Sequence, residues 1–174
     1  MSSPQLPPVE NFQGLALAEK LQTLDLLFEP SLALHSLVAN SLAAASISSY
    51  LDLVSLVRDA TSALLDDPAP QSQATLCAIL GSHPRLGARN IESAQSAAEQ
   101  ARLQQGHEAE RAQLASLNDE YEDRFRGLRY VVFVNGRGRD EIMDDMRARI
   151  ERGDIEVEKR TALQVSLTGV IIMH

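Results

Sequence analysis

The sequence predicts an all-α protein, a single-domain helical bundle of about eight helices with one short extended segment. Three observations carry this. The 174 residues are 44% apolar but only 4% aromatic and lack Trp, so the core must be built from Leu, Ala, Val and Ile. Such a core suits packed helices better than stacked sheets, which draw on aromatic and β-branched residues. Most apolar residues recur at three- and four-residue steps, the period of one helix face. Only one run, Tyr130-Val131-Val132-Phe133-Val134, is strongly β-like, and it has no partner elsewhere in the chain.

Residues 1–11, with Pro4, Pro7 and Pro8, read as a flexible, extended arm before a helical domain over 12–174. Leu17, Leu21, Leu24 and Phe28 form the first helical stripe, with Glu19 and Lys20 on the other side. Pro30 ends that helix and Ser31 caps the next, whose stripe is Leu34, Leu37, Val38 and Leu42. Tyr50, Leu53, Val54, Val57 and Leu64 form a third face, which the breaker Asp66-Asp67-Pro68-Ala69-Pro70 closes. A helix then runs through Leu76-Cys77-Ala78-Ile79-Leu80 to the turn Gly81-Ser82-His83-Pro84. Residues 93–100 are rich in Ala, Glu and Gln and read as helical, placing Ser96, Glu99 and Gln100 on one face. Leu114, Leu117, Tyr121 and Phe125 form a further stripe, stopped by Gly127. After the extended run, Ile142, Met143, Met146 and Ile150 point inward against Asp144, Arg147 and Arg149. Gly153-Asp154 breaks that helix, and a last one starts near Ile155.

Composition excludes several functions. The net charge of −8, from 16 basic and 24 acidic residues, argues against nucleic-acid binding. No apolar run approaches the ~20 residues needed to span a bilayer, and the N-terminus has no secretion pattern. The single Cys77 reads as a small core residue in a reducing compartment. The C-terminal Ile172-Met173-His174 is not the peroxisomal Ser-Lys-Leu signal.

Chemistry concentrates at the one His-Pro pair, His83-Pro84. Pro84 drives His83 out of the helical region, so the histidine stands fixed at a helix end. An imidazole of near-neutral pKa there can act as a general acid or base; the plain alternative is a helix stop that bonds the last carbonyls. The four histidines, His35, His83, His107 and His174, show no metal-ligand spacing. Asn135-Gly136-Arg137-Gly138-Arg139 can hold an anion but reads first as a solvated turn.

Several pieces resemble, in order, the 2-oxo-4-hydroxy-4-carboxy-5-ureidoimidazoline (OHCU) decarboxylases of urate catabolism, in a fungal-type form. They are Leu27-Phe28-Glu29-Pro30-Ser31, His83-Pro84, Ser96-x-x-Glu99-Gln100, Leu117-Asn118-x-x-Tyr121-x-x-x-Phe125, and Val132-Phe133-Val134-Asn135-Gly136-Arg137. The resemblance implies an all-helical, cofactor-free carboxy-lyase that is typically a homodimer and converts OHCU to (S)-allantoin and CO2. It implies His83 and Glu99 as catalytic residues. It implies Pro84, Ser96, Gln100 and the segment Tyr130, Val131, Val132, Phe133 and Val134 as substrate contacts. No metal and no cofactor are expected; the partner is a small molecule, and the compartment is cytoplasmic or peroxisomal. The chain differs from the family pattern in carrying Arg85 after the proline, in a shorter interval from His83 to Glu99, and in having no arginine beyond Arg160. The family's last helix carries a substrate-gripping arginine, so its absence is what favours the rival reading, an inactive member serving as a helical dimerisation or binding module.

Overall fold

The computed structural model describes residues 5–87, 108–134 and 136–173. Among these there are eight helices and no strand. The chain divides into two compact units, residues 1–79 with 167–174, and residues 80–166.

The first unit holds α1 (Val9–Phe12), α2 (Leu17–Leu27), α3 (Leu32–Ala44), α4 (Tyr50–Asp66) and nearly all of α5 (Pro70–Leu80). Local chemistry sets the helix ends. The Ser31 hydroxyl accepts from the Leu34 amide at 3.3 Å and starts α3. Ser49 and Asp52 cap α4 reciprocally: Ser49 Oγ accepts from Asp52 N at 3.2 Å, and the Asp52 carboxylate accepts from Ser49 N at 2.9 Å. Hydrogen bonds from the Ser48 hydroxyl and amide, with that from the Ser49 amide, hold the Asp52 pKa below its usual value. The Asp66–Pro70 breaker separates α4 from α5. The core gathers Phe12, Leu24, Leu27, Leu34, Val38, Leu42, Leu53, Val54, Val57 and Ile79. The helical turn of α1 begins within the stretch expected as an arm, and Phe12 is fully buried.

The inward face of α2 differs from its expected stripe. Lys20, Thr23, Leu24 and Leu27 are buried, while Leu17 is 40% exposed. The stripe is rotated because Lys20 lays its stem along the core and its ammonium over the Phe12 ring, 5.7 Å from the centroid. Cys77, expected in the core, is only half-buried.

The second unit holds α6 (Glu108–Arg124), α7 (Arg139–Arg152) and residues 155–166 of α8 (Ile155–Met173). Leu114, Leu117, Tyr121 and Phe125 are buried as the stripe predicts, with Tyr121 and Phe125 stacked at a tilt, 4.9 Å between centroids. Gly153 ends α7 in the left-handed conformation, φ 61°, and the Asp154 carboxylate caps α8 by accepting from the amides of Glu156 and Val157. Between α6 and α7 the chain over residues 128–134 is extended without a strand partner. On α7, Ile142, Met143 and Met146 point inward as expected, but Arg149 is buried beside them rather than facing out. Its charge is compensated inside the unit, as described next.

Candidate active site

Residues 80–87 form the turn that carries His83, and α6 fastens it. The buried Asn118 amide donates from Nδ2 to the Leu86 carbonyl and to the Leu114 carbonyl, each at 2.9 Å. Arg85 donates from Nε to Glu122 at 2.6 Å and also pairs with Asp119. The arginine after the proline is thus an anchor to α6. These bonds fix the turn on the C-terminal side of His83.

His83 Nε2 lies 2.8 Å from Ser166 Oγ, and Ser166 Oγ lies 2.8 Å from the Ala162 carbonyl one helical turn back. A hydroxyl has one proton. Both contacts are satisfied when Ser166 donates to Ala162 and His83 Nε2–H donates to Ser166, which leaves the Nδ1 lone pair without a partner among the described residues. Burial pushes the His83 pKa down to about 4. This corrects the expectation of a near-neutral value: at neutral pH the imidazole carries no charge and presents a base. Ser166 was not picked out from the sequence, since 83 residues separate it from His83.

Behind the extended segment stands a buried ionic network. Arg149 donates from Nε to the Glu158 carboxylate at 2.9 and 3.2 Å, and from Nη1 to the Val131 carbonyl at 3.0 Å. Its guanidinium lies over the Tyr130 ring, 4.6 Å from the centroid. Glu158, fully buried, also accepts from Tyr121 Oη and from Arg152 Nη2. Burial alone would lower the Arg149 pKa, but the Glu158 carboxylate overrides it and the net shift is upward. Tyr130 Oη meets Asp145, and burial together with that carboxylate raises the phenol pKa.

In front of the segment is a cavity of about 320 Å³, within the ~300–1,000 Å³ span of small-molecule sites. Val132 and Phe133 line it with Arg137, with Asp145 and Arg149 from α7, and with Thr161 and Val165 from α8. Val165 is followed directly by Ser166, the partner of His83. Of the five residues expected along the segment, Val132 and Phe133 therefore line the cavity, whereas Tyr130, Val131 and Val134 are buried. The carbonyls of Val131 and Val134 are taken by Arg149 and by the Arg137 amide. Among the described residues, the backbone groups of Val132 and Phe133 have no hydrogen-bond partner. Pro84 is half-buried in the turn. Ser96, Glu99 and Gln100 lie outside the described residues. Among the described residues no group of three or more His, Cys, Asp or Glu is placed to hold a metal, and no helix is long and apolar enough to cross a membrane.

A family model described as OHCU decarboxylase matches residues 13–166. Among solved structures, the chain is similar to a crystal structure of (S)-allantoin synthase, with a TM-score of 0.64 and 20% sequence identity. The match covers 96% of this chain and 52% of that one, so the chain spans about half its length. At that identity the likeness speaks for the fold. No curated protein matches the chain.

Proposed function

The chain belongs to the OHCU decarboxylase family, and on that premise we propose that it decarboxylates OHCU to (S)-allantoin and CO2 without a cofactor. The observations that carry the reading are the neutral imidazole of His83, held by Ser166, and a cavity lined by Val165, the residue before Ser166, in which the backbone groups of Val132 and Phe133 have no partner among the described residues. In OHCU one ring carbon bears both the hydroxyl and the carboxylate. Breaking the bond to the carboxylate releases CO2 and leaves its electron pair in the ring, where the adjacent imine nitrogen takes it up with one solvent proton. The Nδ1 lone pair of His83 accepts the hydroxyl proton as that oxygen becomes a carbonyl. The imidazolium returns the proton to the neighbouring carbon on one face, which sets the product's configuration. The backbone groups of Val132 and Phe133 act as fixed dipoles toward the developing charge. Glu99, Ser96 and Gln100 complete the assignment from the family motif, and Pro84 shapes the turn against the substrate.

The second reading is an inactive member kept as a binding or dimerisation module. One experiment separates them. OHCU generated fresh from urate is followed by circular dichroism with and without the protein. Decay faster than the spontaneous rate, unchanged by a chelator, supports the enzyme; decay at the spontaneous rate leaves the binding module. The proposal extends to a homodimer, tested by sedimentation equilibrium, and to a cytoplasmic or peroxisomal location, tested by imaging of the tagged chain.

A further inference from the structure

We propose that Arg137 is the residue that recognises the negative charge of the ligand, a small planar heterocycle bearing a carboxylate, at the cavity in front of Val132 and Phe133. The inference deepens the decarboxylase reading and rests on it for the identity of the substrate. Three charged side chains line the cavity, and two are committed. Arg149 is held by Glu158 and the Val131 carbonyl. Asp145 receives Tyr130 Oη and, at 3.4 Å, Arg149 Nη1. Arg137 alone of the three has no ion-pair partner among the described residues. The neighbouring Arg139, by contrast, is paired with Glu110 at 3.0 Å.

A cation with no ion-pair partner among the described residues is conspicuous in a protein of net charge −8, where acidic partners are in excess. Its backbone also fixes it to the segment that lines the cavity, because the Arg137 amide donates to the Val134 carbonyl at 2.7 Å. A guanidinium offers two parallel donors that match a carboxylate, while the ring of such a ligand lies against Val132 and Phe133. The turn that the sequence presents as solvated is thereby given a ligand. Arg137 supplies this positive charge from the loop after the extended segment.

The test compares Arg137→Met, Arg137→Lys and Arg147→Met, the last removing an arginine from an exposed pair with Asp144. With fresh OHCU, Arg137→Met is expected to raise KM about 10–100-fold, the worth of a charged hydrogen bond. Its kcat and melting temperature should change little, Arg137→Lys should recover part of the loss, and Arg147→Met should match the wild type. An unchanged KM in Arg137→Met, or an equal rise in Arg147→Met, overturns the proposal. A second arm uses calorimetry with orotate and its uncharged parent uracil. Orotate should bind the wild type more tightly, and Arg137→Met should erase the difference. If the wild type does not accelerate OHCU decay but this pattern holds, the anion site stands and the decarboxylase reading fails alone. Equal binding of orotate and uracil by the wild type overturns the anion site.

Discussion

Arg149 donates from Nη1 to the carbonyl of Val131 at 3.0 Å, so a side chain of α7 holds the backbone of the extended segment from behind. The same guanidinium closes on Glu158 of α8. One buried ion therefore links two helices to the strip that presents Val132 and Phe133 to the cavity. The segment needs no sheet, because side-chain donors and hydrophobic burial replace the ladder that a strand would use.

Arg149→Met should cost about 3–5 kcal/mol, because it strands the fully buried Glu158 carboxylate without its main partner. Replacing both residues, Arg149→Met with Glu158→Met, should return a large part of that loss. Urea unfolding of the two variants checks this. A double variant less stable than the single one would contradict the pairing.

His83→Asn should leave the fold intact and slow OHCU turnover by about 10²–10⁴-fold, the usual loss for a positioned acid or base. Ser166→Ala should have a smaller effect on rate and cost about 1 kcal/mol of stability, since it removes the hydrogen-bond acceptor of His83 Nε2–H. A melting curve and a turnover rate are needed on each variant. Unchanged turnover with a lowered melting point in His83→Asn would return the histidine to the role of a helix stop.

The Ser31 and Ser49 caps and the break from Asp66 to Pro70 were legible because the groups that decide them lie within five residues of one another. The stripe through Leu114, Leu117, Tyr121 and Phe125 was legible because each residue is apolar and the period is regular. Lys20 and Arg149 were misplaced for the opposite reason. A charged side chain enters a core only when a compensating group meets it, and here those groups are Phe12, Glu158 and Val131, supplied from other elements. His83 could be singled out from its proline. Its partner Ser166 and the cavity could not, because they exist only once α8 is folded against residues far away in the chain.

Stability should fall in mild acid, and His83 should account for part of the fall. Its folded-state pKa of about 4 lies below the ordinary 6.5 because burial disfavours the imidazolium. Between those values the unfolded chain binds a proton that the folded chain does not. The contribution is therefore complete above about pH 6.5, declines as the pH falls through that window, and is gone below about 4; it amounts to about 3 kcal/mol. Urea midpoints measured across this range should decline less steeply in His83→Asn than in the wild type. Parallel curves would remove His83 from the acid limb.

Gly87→Ala should destabilise the second unit by about 1–2 kcal/mol. Gly87 adopts φ +83°, a region that L side chains rarely occupy, and a Cβ there would stand 2.9 Å from the Leu114 side chain. Because Gly87 closes the turn that holds His83, turnover should fall with it. Thermal melting and the OHCU assay on this variant check both effects, and a variant as stable as the wild type would show that the turn does not need glycine.

Leu167 and Val170 of α8 belong to the core otherwise made by residues 6–79. A ribosome that has already extruded α2, α3 and α4 must add roughly 100 more residues before Val170 follows them, on the order of 5–20 s at ordinary elongation rates. For that interval the nascent helices carry an uncovered apolar seam at the tunnel exit. The first unit to emerge is thus among the last to close, and newly made chains present a binding surface to holdase chaperones until translation has passed residue 170.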